Sequence, residues 1–166
     1  MAVSLTAEFA NVLVQLASSN YRWLGCNCRM PNAPDASIAE PLILIVENDL
    51  STRVMYREFL SRCGFRIMDA HNGHQAMAKV REMPPDAVVT DLNVPGLDGF
   101  ELCRALQESA ATRTIPILAV TGHSQYLDQP DRFRQAGISH VLTKPCAPGA
   151  IAHELRRLLA AAGVSR

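Results

Sequence analysis

From Pro41 onward the chain alternates short apolar runs with stretches of helical period, and this alternation confines it to a parallel sheet covered on both faces. Leu42–Val46 is apolar at every position, as a strand buried on both sides requires. A helical segment follows, with Val54, Phe59 and Leu60 as its apolar residues, and it stops at Cys63–Gly64. Arg66–Ala70 reads as a weaker strand and His74–Glu82 as a second helix, closed by Pro84 and Pro85. Ala87–Thr90 forms a third strand that ends on Asp91, and Phe100–Ser109 a third helix. Ile115–Val120 is the fourth strand, Gln129–Ala136 a short helix before Gly137, and His140–Leu142 the fifth strand. The last helix, Ala150–Ala162, sets Ile151, Leu155, Leu158 and Leu159 on one side. Five strands alternating with five helices predict an α/β fold, a doubly wound five-stranded parallel sheet. Such sheets bind ligands beyond the carboxyl ends of their strands.

Those ends carry chemistry. Strand one runs into Glu47, Asn48 and Asp49, strand three into Asp91, strand four into Thr121, and strand five leads to Lys144. Hard divalent ions such as Mg2+ take oxygen ligands, commonly one or two carboxylates with phosphate and water. A carboxylate can attack phosphorus to give an acyl phosphate when a metal and a cation offset the charge. Lys144 is the candidate cation, and Thr121 the candidate donor to a phosphate oxygen. Each residue also has a plain structural reading. Asp49 suits a helix N-cap, a threonine is a good strand former, and a lone lysine is usually solvated.

The remaining composition narrows the class. A length of 166 residues suits one domain with an extension, here residues 1–40, with the domain at 41–162. Basic and acidic residues balance at 16 each, so no footprint for DNA or a membrane surface is visible. Five cysteines at irregular spacing argue against a disulfide framework and for a reducing, cytoplasmic location. Cys26 and Cys28 supply two thiolates where a structural zinc site needs about four ligands. No apolar run reaches the roughly 18 residues of a membrane span, and the amino terminus lacks the basic start of a secretory signal.

Residues 1–29 form a separate stretch in which Leu5, Phe9, Val12, Leu13 and Leu16 recur at helical spacing, with Ser4 or Thr6 as N-cap. This predicts an amino-terminal helical extension, covered by the domain, by a partner, or by a second copy in a homodimer. A translation start at Met30 is the competing expectation. The three prolines of 31–41 read as a linker.

The ordered motifs point further. Leu42-Ile-Leu-Ile-Val-Glu-Asn-Asp, Asp91-Leu-Asn-Val-Pro-Gly-Leu-Asp-Gly-Phe, Ile115-Pro-Ile-Leu-Ala-Val-Thr-Gly and Lys144-Pro145 together resemble the receiver domain of bacterial response regulators over about residues 41–162. The resemblance implies the flavodoxin-like receiver fold, with Asp91 accepting a phosphoryl group from a sensor histidine kinase or phosphotransfer protein. It implies Mg2+ as cofactor, held by Glu47, Asn48, Asp91 and the backbone carbonyl of Asn93. It assigns the switch hydroxyl to Thr121, the phosphate-gripping cation to Lys144, and a cis bond to Lys144–Pro145. The expected function is a single-domain phosphoacceptor of a two-component or phosphorelay pathway, passing its signal to a downstream protein effector across helix four, strand five and helix five. It supports its own phosphotransfer and dephosphorylation and is not a turnover enzyme on a separate substrate.

Three positions depart from the family pattern. Asn48 stands where a second acid is usual, which predicts weaker metal binding and less repulsion toward the phosphoryl group. Val141 holds the aromatic switch position, with His140 beside it, and is too small to report a movement of Thr121 by swinging a ring. Cys146 stands where an aromatic or aliphatic side chain often follows the proline. His123, two residues past Thr121, is a candidate gate for water. Two competing functions remain. A phosphorylation-independent adaptor would keep the fold without the chemistry, with Asn48 as its sign. A phosphatase of the haloacid-dehalogenase type would need an acid two residues after the nucleophile, where Asn93 stands.

Overall fold

The computed structural model describes residues 40–122 and 130–164. The apolar stripe of residues 1–29, Cys26, Cys28, His123 and Gln129 lie outside the described residues. Five parallel strands, β1 (Leu42–Val46), β2 (Arg66–Ala70), β3 (Ala87–Thr90), β4 (Ile117–Thr121) and β5 (His140–Thr143), are ordered β2-β1-β3-β4-β5. Between and after them run α1 (Leu50–Arg62), α2 (Gly73–Glu82), α3 (Gly99–Glu108), α4 (Pro130–Gln135) and α5 (Pro148–Ala161). The doubly wound α/β architecture expected from the alternation is the one observed.

Residue parity sorts the core into two halves. Ile43 and Ile45 of β1, Val89 of β3 and Leu118 and Val120 of β4 face α1 and α5, packing on Tyr56, Leu60, Ile151, Leu155 and Leu159. Leu44, Val46, Val88, Ile117 and Ala119 face the other way, onto α2, α3 and α4 through Val80, Phe100, Leu102, Leu106 and Phe133. The central strands β1, β3 and β4 are buried at every position, which is why their sequences are apolar runs rather than alternating ones. Among the described residues no helix is long and apolar enough to cross a membrane.

Local details explain the boundaries. α1 ends in a tight turn in which Phe65 N–H donates to Leu60 O at 3.3 Å, and Gly64 takes the φ of +86° that this turn needs. α5 starts on Pro148, two residues earlier than the apolar spacing suggests, because a proline in the first turn gives up no hydrogen bond. β4 starts at Ile117, not Ile115. Pro116 has no N–H to give, and its carbonyl accepts from Val88 N–H at 3.0 Å before the ladder proper begins. Val54 does not join the buried side of α1. It is 38 % exposed, and Tyr56 and Leu60 carry the core contact.

Candidate functional site

The chain crosses from β2 on one side of β1 to β3 on the other, so the crevice beyond β1 and β3 is the topological switch point of the sheet. Register places the strand ends together. Val46 is opposite Thr90, and the residues that follow them are Glu47 and Asp91. Asp91 N–H donates to Val46 O at 2.9 Å and Glu47 N–H to Ala70 O at 3.0 Å, extending the ladder one residue past the strands. The buried hydroxyl of Thr90 donates to Asp91 O at 2.8 Å and pins the same peptide. On the other side, Thr121 closes β4 opposite Thr143, and Lys144 N–H donates to Thr121 O at 2.8 Å.

Lys144 joins the two acids. Its Nζ lies 2.6 Å from Glu47 Oε2 and 2.7 Å from Asp91 Oδ2. The remaining oxygens are held by backbone: Asp49 N–H donates to Glu47 Oε1 at 3.0 Å and Asn93 N–H to Asp91 Oδ1 at 2.9 Å. Burial alone would lower the Lys144 pKa, but hydrogen bonds to Asp91 and Glu47 outweigh it and hold the ammonium above its ordinary value. The Lys144–Pro145 peptide is cis. Thr121 is buried at the end of β4.

Asn48 is exposed at the rim. Asp49 is committed elsewhere, since its Oδ1 accepts Thr52 N–H at 2.7 Å as the N-cap of α1, and that bond keeps its carboxyl below the usual value. Asn93 is also exposed. Val141 is half-buried and packs toward the α2–α4 face, while His140 Nε2 lies 3.8 Å from Glu154 Oε2 on α5.

These donors fit a hard divalent cation. Two carboxylates, Glu47 and Asp91, converge with the Asn48 amide and the Asn93 carbonyl nearby in sequence, and all of these donors are oxygens. Among the described residues no group of three His, Cys, Asp or Glu side chains that could hold a metal gathers.

Two participants were not apparent from sequence. Arg53 Nη1 donates to Glu47 O at 2.7 Å and to Asn48 O at 3.2 Å. Tyr56, buried on α1, places its hydroxyl 3.8 Å from Cys146 Sγ, and burial first, then the neighbouring thiol, pushes its pKa up. Glycine marks a third constraint. A Cβ on Gly99 would lie 2.5 Å from Leu92 Cα and 2.6 Å from Asp91 O, so α3 can start this close to the acid only on glycine.

The profile of the response regulator receiver domain matches residues 43–156. The transcriptional regulatory protein ResD of Bacillus subtilis is 33% identical over 72% of this chain and 48% of its own length. Protein PilH of Pseudomonas aeruginosa is 36% identical over 62% of this chain and 84% of its own. The chain therefore spans about half of ResD and most of PilH. Among solved structures, the receiver domain of sensor histidine kinase PA1611 from Pseudomonas aeruginosa superposes with a TM-score of 0.66 at 28% identity, covering 74% of this chain and 99% of that one. That crystal holds a magnesium ion coordinated in its active-site cleft. The profile runs from β1 into α5, across the same elements that build the crevice, and the chain belongs to the response regulator receiver domain family of two-component signalling.

Proposed function

We propose that Asp91 accepts a phosphoryl group from a phosphohistidine of a sensor histidine kinase or phosphotransfer protein, and that the phosphorylated domain signals to a protein effector. The observation that supports this most directly is the Asp91 carboxylate, mostly covered, bonded to the Lys144 ammonium at 2.7 Å beside Glu47 at the switch point of the sheet. An Asp91 oxygen forms the new P–O bond as the P–N bond to the imidazole breaks, and the electron pair of that bond stays on the ring nitrogen. Lys144 offsets charge on the transferring group, and the Thr121 hydroxyl donates to one of its oxygens. Glu47, Asn48, Asp91 and the Asn93 carbonyl would hold Mg2+, which supplies further charge neutralisation when bound.

The domain spans 41–162 in this reading, is cytoplasmic, and acts on no separate substrate. Its balanced charge offers no DNA-binding surface. Phosphorylation adds about −1.5 to −2 charge. Inverting a 1:99 conformational ratio takes about 5.5 kcal/mol of differential stabilisation, which the divalent ion, Lys144 and Thr121 together would supply. Output passes across α4, β5 and α5. A second reading, an adaptor that works without phosphorylation, rests on the exposed neutral amide of Asn48. Acetyl phosphate with Mg2+ separates the two: mass spectrometry should find one phosphoryl group per chain and none on Asp91→Asn. Label that persists in Asp91→Asn, or no label on the wild type, would sink the phosphoacceptor reading.

A further inference from the structure

We infer that Arg53 is a positioning residue for the divalent-cation site, setting the backbone of Asn48 so that a neutral amide can serve where charge would otherwise do the steering. The inference rests on the metal reading of Glu47, Asn48 and Asp91 given above, and goes beyond it by assigning a residue of α1 that touches neither ion nor phosphate.

The geometry starts in β2. Asp69 pairs with Ile45, and Ile45 belongs to the face covered by α1 and α5, so Asp69 points toward α1. There it meets Arg53, whose Nε lies 3.1 Å from Asp69 Oδ2, and Arg57, whose Nη1 lies 3.7 Å from Oδ1. Lys79 of α2 fixes the same residue from its backbone, donating to Asp69 O at 2.6 Å. Held this way, the Arg53 side chain is only 13% exposed, and its Nη1 donates to two successive carbonyls, Glu47 O and Asn48 O.

Two successive carbonyls are the two peptide planes that flank Asn48. Fixing both fixes the φ and ψ of Asn48, and with them the direction in which its side chain leaves the chain. An aspartate at this position would be drawn to a bound cation by its charge. An exposed amide has only a dipole, so its contribution depends on how well it is placed beforehand. A planar, forked guanidinium can bridge an acid and a pair of carbonyls at once, and an ammonium cannot reproduce that geometry.

The test exploits a sign. Arg53 is a cation beside a cation site, so removing it should tighten Mg2+ binding if charge were its only influence. Positioning predicts the reverse. Calorimetric Mg2+ titration of the full chain should show Arg53→Gln weakened by about 10-fold, the range seen when outer partners of a metal site are lost. Arg53→Lys, which keeps the charge and loses the fork, should weaken comparably. In an Asn48→Asp background the Arg53→Gln loss should shrink, because the carboxylate steers itself, whereas a merely structural arginine would cost the same in both. Thermal melts of the metal-free proteins separate misfolding from misplacement, and Arg53→Lys decides the matter where Arg53→Gln does not fold. Unchanged or tighter Mg2+ binding by both folded variants overturns the inference alone. A wild type that binds no Mg2+ overturns it together with the metal reading.

Discussion

With asparagine at position 48 and Asp49 engaged as a helix cap, the carboxylates facing the crevice are Glu47 and Asp91. Asn48→Asp adds a negative ligand at the rim, and Mg2+ affinity should rise by about 1 kcal/mol, roughly fivefold, because the position is solvent-screened. Calorimetry is the suitable measurement, since the one tryptophan, Trp23, lies outside the described residues. Unchanged affinity would mean that the side chain at 48 does not reach the ion. Cys103 gives an independent residue-scale prediction. Fully buried in α3, its thiol is pushed by burial up to about 12. At pH 8.5 it should resist iodoacetamide in the native state, while the partly exposed Cys63 and Cys146 react. The same shift has a sign for stability. Above the unfolded thiol value of about 8.5 the unfolded chain releases a proton that the folded chain keeps, so stability should fall as pH rises from there toward 12. Labelling of native Cys103 at the rate of an unfolded thiol would contradict this burial.

At the scale of elements, α3 starts hard against the end of β3. Asp98 caps α3 with a full capping box, accepting Glu101 N–H at 2.7 Å while Glu101 returns a bond to Asp98 N–H at 3.1 Å. Gly99 then lets the helix begin against the Asp91 carbonyl. Gly99→Ala drives a methyl into Leu92 and Asp91 backbone, neither of which can swing away. Stability should drop by about 2 kcal/mol in urea melts, with slower Asp91 labelling because the helix shifts the acid. A variant as stable as the wild type would show that the loop yields freely. The first turn of α2 repeats the device: a Cβ on Gly73 would meet Leu97 O at 2.3 Å. α1 differs in kind. Its buried contacts come from Tyr56 and Leu60, leaving Leu50, Val54 and Met55 exposed.

For the molecule as a whole, the strands and helices between 42 and 161 complete a five-stranded sheet with a packed layer on each face. A chain shortened to begin at Met30 should therefore fold cooperatively, with Tm within about 4 °C of the full chain and Asp91 labelling intact. Calorimetry and sedimentation of the two lengths check this. Collapse of the shorter chain would make the first 29 residues part of the fold, and a changed sedimentation coefficient per unit mass would assign them to association.

Sequence determined whatever depends on near neighbours. Leu42–Val46 and Ala87–Thr90 are apolar at every position, and only a strand covered on both faces makes use of that, so β1 and β3 were readable to the residue. Fixing the strand ends fixed Glu47, Asp91, Thr121 and Lys144 at one edge, and the motif order carried the likeness to the receiver family. Tertiary structure decided what depends on register and on distant partners. Periodicity cannot tell that Asp69 faces Arg53, because that follows from the pairing of β2 with β1 at Ile45. Nor can it place Tyr56 against Cys146, 90 residues away, or aim Lys144 at Glu47 across 97. Val54 looks like a core residue by composition, yet it is exposed, and Tyr56 and Leu60 hold the buried side of α1. Local pattern sets which elements form and what their ends carry; the packing of helices on a twisted sheet sets which of those side chains meet.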